Sequence, residues 1–364
     1  MRSEALLLFL VLALAACTWE TDLPAGAREV HVDAGRELVI TDDAALARLP
    51  SFAQAFARLP LDGSATLRWL RAWSRRLEAE GRPDRGAMLE AKLTCRWLRA
   101  APENRCDDSC AQCTDHVLRP EAAPLRLIAV ANRTDLSVLP DRAADGGEGR
   151  LVFALTDGPA ADPRSAPLPL TVIVEYAQRG SALAWTKRWH ALGEGSAETF
   201  PERLAALIEP FVATGALAQV RTADAWTGSM VLHEFRIEGR TLVPANVRNT
   251  PDWTRVGAPE LRAFSEAHAS EIDDGTFVLP RDWWASSSAA AEAAPAFVRD
   301  VPRHEALLRQ TCAGCHAQTE RGFQIDPLAV GTKRLSRFLS APDEEDDELR
   351  RRAAWMQLTL WSAR

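Results

Sequence analysis

The chain is poor in tyrosine and methionine and, past its first seventeen residues, has no long apolar run. One Tyr and four Met stand against twelve Trp in 364 residues. After residue 17 the most apolar stretch is 168–177. That length suits a strand and is about half of the roughly 20 residues a membrane-spanning helix requires, so a polytopic membrane protein is excluded. No block of Lys and Arg is long enough to follow a phosphate backbone, and 43 basic residues face 50 acidic ones for a net charge of −7. Nucleic acid is therefore not an expected partner. Ser, Gly and Pro dominate no region, so most of the chain should fold. The sequence also lacks a nucleophilic serine elbow, a glycine loop that would cradle phosphate, and a paired-carboxylate pattern, which removes the usual grounds for a hydrolase or nucleotide enzyme. The length suits two or three packed units with a sizeable core.

The informative features begin at the N-terminus. Arg2 gives a positive start, residues 6–14 are apolar, and Leu14-Ala15-Ala16-Cys17 closes the run. This is the layout of a secretory signal, too short to remain as a spanning helix. The cysteine after two small residues resembles the lipobox of bacterial lipoproteins. The resemblance implies cleavage before Cys17, with diacylglycerol on its sulfur anchoring the chain to the membrane. Two or three acyl chains exceed what stable anchoring needs. Thr18 stands where an Asp would favour inner-membrane retention, so the expected place is the cell envelope, with the outer membrane favoured and the protein facing the periplasm or the surface.

Six further cysteines remain, and outside the cytoplasm thiols are either paired or bound to something. Cys95, Cys106, Cys110 and Cys113 form one group, with His116 downstream. Two disulfides are the simplest reading, with three pairings open; zinc or an iron–sulfur centre is the rival. Thr311-Cys312-Ala313-Gly314-Cys315-His316 forms the other. Two thiols three positions apart on a helical turn can add to both vinyl groups of one porphyrin, while the adjacent imidazole reaches the iron. His116 follows Cys113 by three residues and so does not make a second such motif. Roughly residues 302–364 resemble c-type cytochrome domains. The resemblance implies a helical unit with one covalent haem c, held by Cys312 and Cys315 with His316 as proximal ligand. The rival is a Cys312–Cys315 disulfide beside a bystander histidine. No Met lies between Cys315 and Met356, where such domains supply the sixth ligand. Met356 sits on an apolar helical stripe and reads as core. The alternatives are a ligand lent from elsewhere, such as Met230, His233 or His268, or an open sixth position.

The expected fold class is α+β, with a helical N-terminal region, a mostly antiparallel-sheet central domain and a small all-α cytochrome c-like module at the C-terminus. The expected divisions are a signal peptide over 1–16, a tether and helical region with the cysteine cluster over 17–119, an α+β domain of unknown role over 120–295, and the haem segment over 296–364. Residues 18–30 read as a tether and 30–40 as a strand, with Thr41-Asp42-Asp43 capping a helix through Arg48. Residues 65–98 are helical in pattern, with Leu67, Leu70, Trp73 and Leu77 on one stripe and a turn at Gly81-Arg82-Pro83-Asp84. Residues 125–130, 150–155 and 168–176 read as strands, and 230–237 with 241–247 as a hairpin. Helices are expected at 182–192 and 201–213, and a boundary in the Ala/Ser-rich stretch 284–295. Asp300 and Pro302 suit the start of a helix leading to the haem motif. Leu335, Phe338 and Leu339 mark another helix, and Leu349, Ala353, Met356 and Leu360 the stripe of a last one behind the acidic run 343–348.

Asn132-Arg133-Thr134-Asp135-Leu136, residues 149–155 and Trp189-His190-Ala191-Leu192-Gly193 resemble a group of uncharacterised exported bacterial proteins that also end in Cys-x-x-Cys-His; no known activity comes with that resemblance. Arg133, Asp135, Glu175 and His190 read as structural. The leading function is electron transfer by a membrane-anchored haem protein with a redox partner protein. The rivals are peroxide chemistry or gas binding at an open iron, and a haem-free exported scaffold or binding protein stabilised by disulfides. Cys17→Ala should release the protein from the membrane fraction or leave its precursor uncut. Membrane fractionation with immunoblotting checks this, and unchanged fractionation with unchanged processing contradicts the lipobox.

Overall fold

The computed structural model describes residues 23–57, 63–107, 110, 113, 115–140, 145–213, 216–228, 230–288, 294–311, 322–340 and 348–363. Its centre is one seven-stranded antiparallel sheet whose strands lie in sequence order. They are β1 (Val39–Ile40), β2 (Leu125–Arg133), β3 (Asp145–Thr156), β4 (Pro167–Arg179), β5 (Leu217–Asp224), β6 (Val231–Glu238) and β7 (Thr241–Ala245). The class is α+β, as the sequence implies.

Alternation along the strands gives the sheet two unlike faces. The register places Val130, Leu151, Val174, Val220 and Phe235 in one row, with Leu127, Phe153 and Val172 in the row beside it. Helices Gly63–Ala79, Ala182–Glu194 and Phe200–Ala213 cover this apolar face and share its core. Trp69, Trp73, Trp97 and Trp189 are fully buried there. Trp69 stacks on Trp73, and both meet Phe235 of β6 edge-on. The tryptophan excess thus has a packing use, because one indole fills the helix-to-sheet gap with few flexible torsions.

The opposite face carries small or charged side chains: Ala129, Ala131, Arg150, Val152, Glu175, Ile173, Gln219, Arg221, Ala223 and Glu234. The C-terminal part of the chain lies against it. Ile325 packs with Ile128, Val152 and Ile173, and Phe323 with Ala223, Met230, Leu232 and Val247. The buried Arg334 donates to the Ile128 carbonyl at 3.1 Å and to Asp43 at 2.8 Å. Leu339, Leu349, Trp355 and Met356 complete the main core. One core therefore draws on segments from both ends of the chain. Among the described residues no helix is long and apolar enough to cross a membrane.

Local chemistry explains where the sequence reading holds. Asp42 accepts from Ala45 N–H at 2.7 Å and starts helix Asp43–Leu46. Gly81, at φ 73°, ends the long helix where the turn was expected, and Pro83 opens the next. The hairpin turns at Gly239, at φ 61°. Two expectations need correction. Residues 30–40 are not one strand: Asp33 accepts from the amides of Gly35 and Arg36 and winds Ala34–Leu38 into a π-helical turn, leaving only Val39–Ile40 extended. The helix before the haem motif begins at His304 and not at Asp300–Pro302, because Ala296–Asp300 is a 3-10 turn and Arg303 is left-handed. Strand β5 was not anticipated, since two of its inward positions, Thr222 and Asp224, are polar though fully buried and break the alternation.

Gly147 sits in β3 at φ 90°, and a Cβ there would overlap the Arg133 carbonyl oxygen and the Thr134 backbone. Gly147→Ala combines a disfavoured backbone with that collision, so it should destabilise the fold by more than about 1 kcal/mol in urea unfolding. A stability equal to the parent's would contradict this strand packing.

Candidate functional site

Cys17, Cys312, Cys315 and His316 lie outside the described residues, but the chain on either side of the haem motif is placed. Thr311, on the N-terminal side, is buried and follows helix His304–Arg309. Leu307 of that helix packs with Trp253, Phe264, Phe277 and Leu279, and Gln310 donates to the Ile272 carbonyl at 3.3 Å. On the C-terminal side, Gly322 has φ 81° and lies directly on Met230, leaving no room for a Cβ. The chain leaving the motif is thus pressed against the start of β6.

The four residues considered as sixth iron ligand have different surroundings. Met230 is buried beside Gly322, six positions beyond His316. Met356 is buried in the main core, where its Sδ accepts from Asn132 Nδ2 at 3.6 Å. His233 is fully buried on the apolar face of the sheet, with Nε2 3.0 Å from Glu80 Oε2. His268 is half-buried, its ring 4.4 Å from that of Phe264.

Of the three pairings open to the cysteine group, the structure has Cys95–Cys110 and Cys106–Cys113. Cys106 and Cys113 also form an isolated antiparallel bridge, and Cys110 takes a left-handed backbone at φ 56°. With these four thiols paired, Cys312 and Cys315 are left with each other or with a bound group.

Charged side chains form three buried assemblies. The first crosses the polar sheet face as alternating charges: Glu148, Arg150, Glu175, Arg221 and Glu234, with contacts of 2.8, 3.2, 3.2 and 3.1 Å. The second joins the end of β2 to the last helix, Glu348–Trp361. Asp135 pairs with Arg133 at 3.0 Å and with Arg351 at 3.3 Å, and Glu348 pairs with Arg351 at 2.8 Å and Arg352 at 2.9 Å. Burial alone would raise the Glu348 and Asp135 carboxyls, but the surrounding guanidinium groups hold both below the ordinary range. Burial and the neighbouring Arg133 bring Arg352 down to about 10. In the third, Glu80 bonds His233, Ser286 and Arg76. Burial opposes its ionisation, yet the His233 hydrogen bond and charge, with Ser286 and Ser287, bring Glu80 down to about 2. Close by, Asp224 pairs with Arg85 at 2.7 Å, with both side chains almost fully buried; burial raises the Asp224 carboxyl despite that partner.

Arg133, Asp135 and Glu175 thus each have an ion-pair partner, and His190 has Nδ1 2.8 Å from Glu37 Oε2. Glu348, Arg351 and Arg352 were missed as a docking group. Their i,i+3 and i,i+4 spacing was visible, but their partner Asp135 is 216 residues from Arg351. These assemblies position and neutralise; none presents an activated nucleophile.

Glu348→Gln removes one carboxylate from between buried cations, so it should cost roughly 3 kcal/mol or more. Folded-state values for Glu80 and Glu348 lie below the ordinary 4.5. Their stabilisation is therefore complete above that pH and is lost as the pH falls from it toward about 2, the Glu80 value. Urea unfolding across that window should show a flatter acid limb for Glu348→Gln than for the parent; parallel curves would contradict the ion-pair assignment. No family model matches the chain, and no curated protein or solved structure does so either.

Proposed function

We propose that the protein is an exported lipoprotein, anchored to the membrane of the cell envelope through Cys17, that carries one covalent haem c and transfers electrons to or from a redox partner protein. The observation that carries this reading is the Cys312, Cys315, His316 spacing behind an export signal. The pairing of the other four cysteines supports it, because it leaves these two thiols for the porphyrin. In this reading residues 296–364 are the haem-bearing segment, with Cys312 and Cys315 as thioether donors and His316 as proximal ligand, and its described parts dock into the cores of the rest of the chain.

Bound there, the haem supplies a one-electron iron couple. The donor set of two thiols and an imidazole fits such a group, and the chain offers a further soft donor. Met230 would be the side chain to lend a further donor to such a group, since it lies against Gly322 while Met356 is committed to the core. Phe323, Leu232 and Val247 pack around Met230 and keep water from that side. A thioether on the iron favours electron transfer over peroxide chemistry or gas binding, which need an open position.

Expressed with the attachment machinery, the mature protein should keep haem stain through a denaturing gel. Cys312→Ala with Cys315→Ala should abolish it. Met230→Leu preserves volume and should cost less than about 1.5 kcal/mol, yet it should convert the low-spin spectrum to high-spin; Met356→Leu should leave it unchanged. A mature parent without covalent haem would overturn the reading. Carbon monoxide binding to the reduced parent as readily as to Met230→Leu would replace electron transfer with open-iron chemistry.

A further inference from the structure

We propose that the paired cysteines have a second, reduced state in which Cys95, Cys106, Cys110 and Cys113 together bind one soft divalent cation of the zinc type as thiolates. The sulfurs of Cys106, Cys110 and Cys113 all lie within 4.8 Å of one another, although they belong to two different disulfides. Cys95 is covalently joined to the Cys110 member of that trio, so four sulfurs converge on one small volume. A tetrahedral zinc thiolate centre, with Zn–S near 2.3 Å, needs sulfurs about 3.8 Å apart. The unbonded sulfur pairs of the trio are therefore at most about 1 Å beyond ligand spacing, and reduction lets the bonded Cys106 and Cys113 sulfurs move apart to it. The backbones are also drawn together, at Cα–Cα 5.4 Å for Cys95–Cys110 and 4.1 Å for Cys106–Cys113.

Surroundings favour the thiolate form. Cys95, Cys110 and Cys113 are buried, which excludes competing water, while Cys106 is half-buried and offers an approach. Lys92, Arg96 and Arg99 line a shallow groove at Cys95. Arg96 donates to the Thr156 carbonyl and Arg99 to the Asp107 carbonyl, which holds both side chains along that groove. Cations so placed lower a thiol's pKa and offset the charge of a multi-thiolate centre.

The conversion needs a dithiol reductant. Its thiolate attacks the Cys106 sulfur, the S–S bond breaks, and the electron pair leaves on Cys113. The reductant's second thiol then frees Cys106 and closes the reductant into its own disulfide. Cys113 thiolate, within 4.8 Å of the Cys110 sulfur, attacks it and releases Cys95. A second dithiol reduces the resulting Cys110–Cys113 bond. Two dithiols are oxidised, four thiols form, and cation binding releases their four protons.

The test uses the full mature chain, reduced anaerobically with dithiothreitol, supplied with Zn2+ and freed of unbound metal by gel filtration. Zinc content and far-ultraviolet circular dichroism are then read. The reduced parent should hold one zinc per chain and release it when the disulfides are re-formed. Cys106→Ser with Cys113→Ser should hold none, and since it keeps Cys312 and Cys315, metal bound at those residues would persist in it and be recognised. Should the reduced chain unfold, zinc must restore its helical signal. Equal zinc in parent and variant, or a reduced chain that zinc neither occupies nor refolds, overturns the proposal.

Discussion

Burying Glu348 obliges the last helix to carry its cations with it and to meet a matching group on the sheet. A carboxylate removed from water without partners loses several kcal/mol, and paired geometry must offset this. Arg351 and Arg352, three and four positions on, answer it from the same helix face, and the surplus positive charge is answered by Asp135 at the end of β2. This arrangement has one register. Sliding the helix by a turn would strand at least one charge, so the assembly sets where Met356, Trp355 and Leu349 enter the core.

The position of that helix decides the rest of the C-terminal chain. With it seated at one edge, the residues before it must run back across the polar face, where Arg334 reaches the Ile128 carbonyl and Ile325 and Phe323 fill spaces left by alanines. Small residues there let the covering chain approach closely, and the alternating row from Glu148 to Glu234 satisfies its own charges within the sheet. Gly322 against Met230 is the consequence nearest the haem motif. The positive φ and the absence of a side chain let the chain turn there while touching the sheet.

Elements whose pattern depends on their own residues were legible. The stripe of Leu67, Leu70, Trp73 and Leu77 announces a helix, and Glu238-Gly239-Arg240 announces a hairpin, because periodicity and turn chemistry are local. Strand β5 escaped because its inward Thr222 and Asp224 are polar, Asp224 for the benefit of Arg85 far away in sequence. Residues 30–40 misled for the opposite reason: the apolar alternation was present, but Asp33 captured two amides and bent the chain. The Cys312, Cys315, His316 spacing on which the proposed haem rests is a local pattern. Which cysteines pair with which is not, since four closely spaced thiols permit every pairing and only the folded backbone selects one. The contact of Met230 with Gly322 was equally hidden, because it spans a separation that no local pattern encodes.

The proposed function rests on covalent chemistry at two places in one chain, a lipid at Cys17 and a porphyrin at Cys312 and Cys315. The intact mass of the protein, extracted from membranes and sprayed under denaturing conditions, reads both at once. The expected mass is the chain from Cys17 onward plus its acyl groups plus one haem, with the two disulfides oxidised. A membrane-extracted chain of correct length whose mass leaves no room for a haem would contradict the central claim.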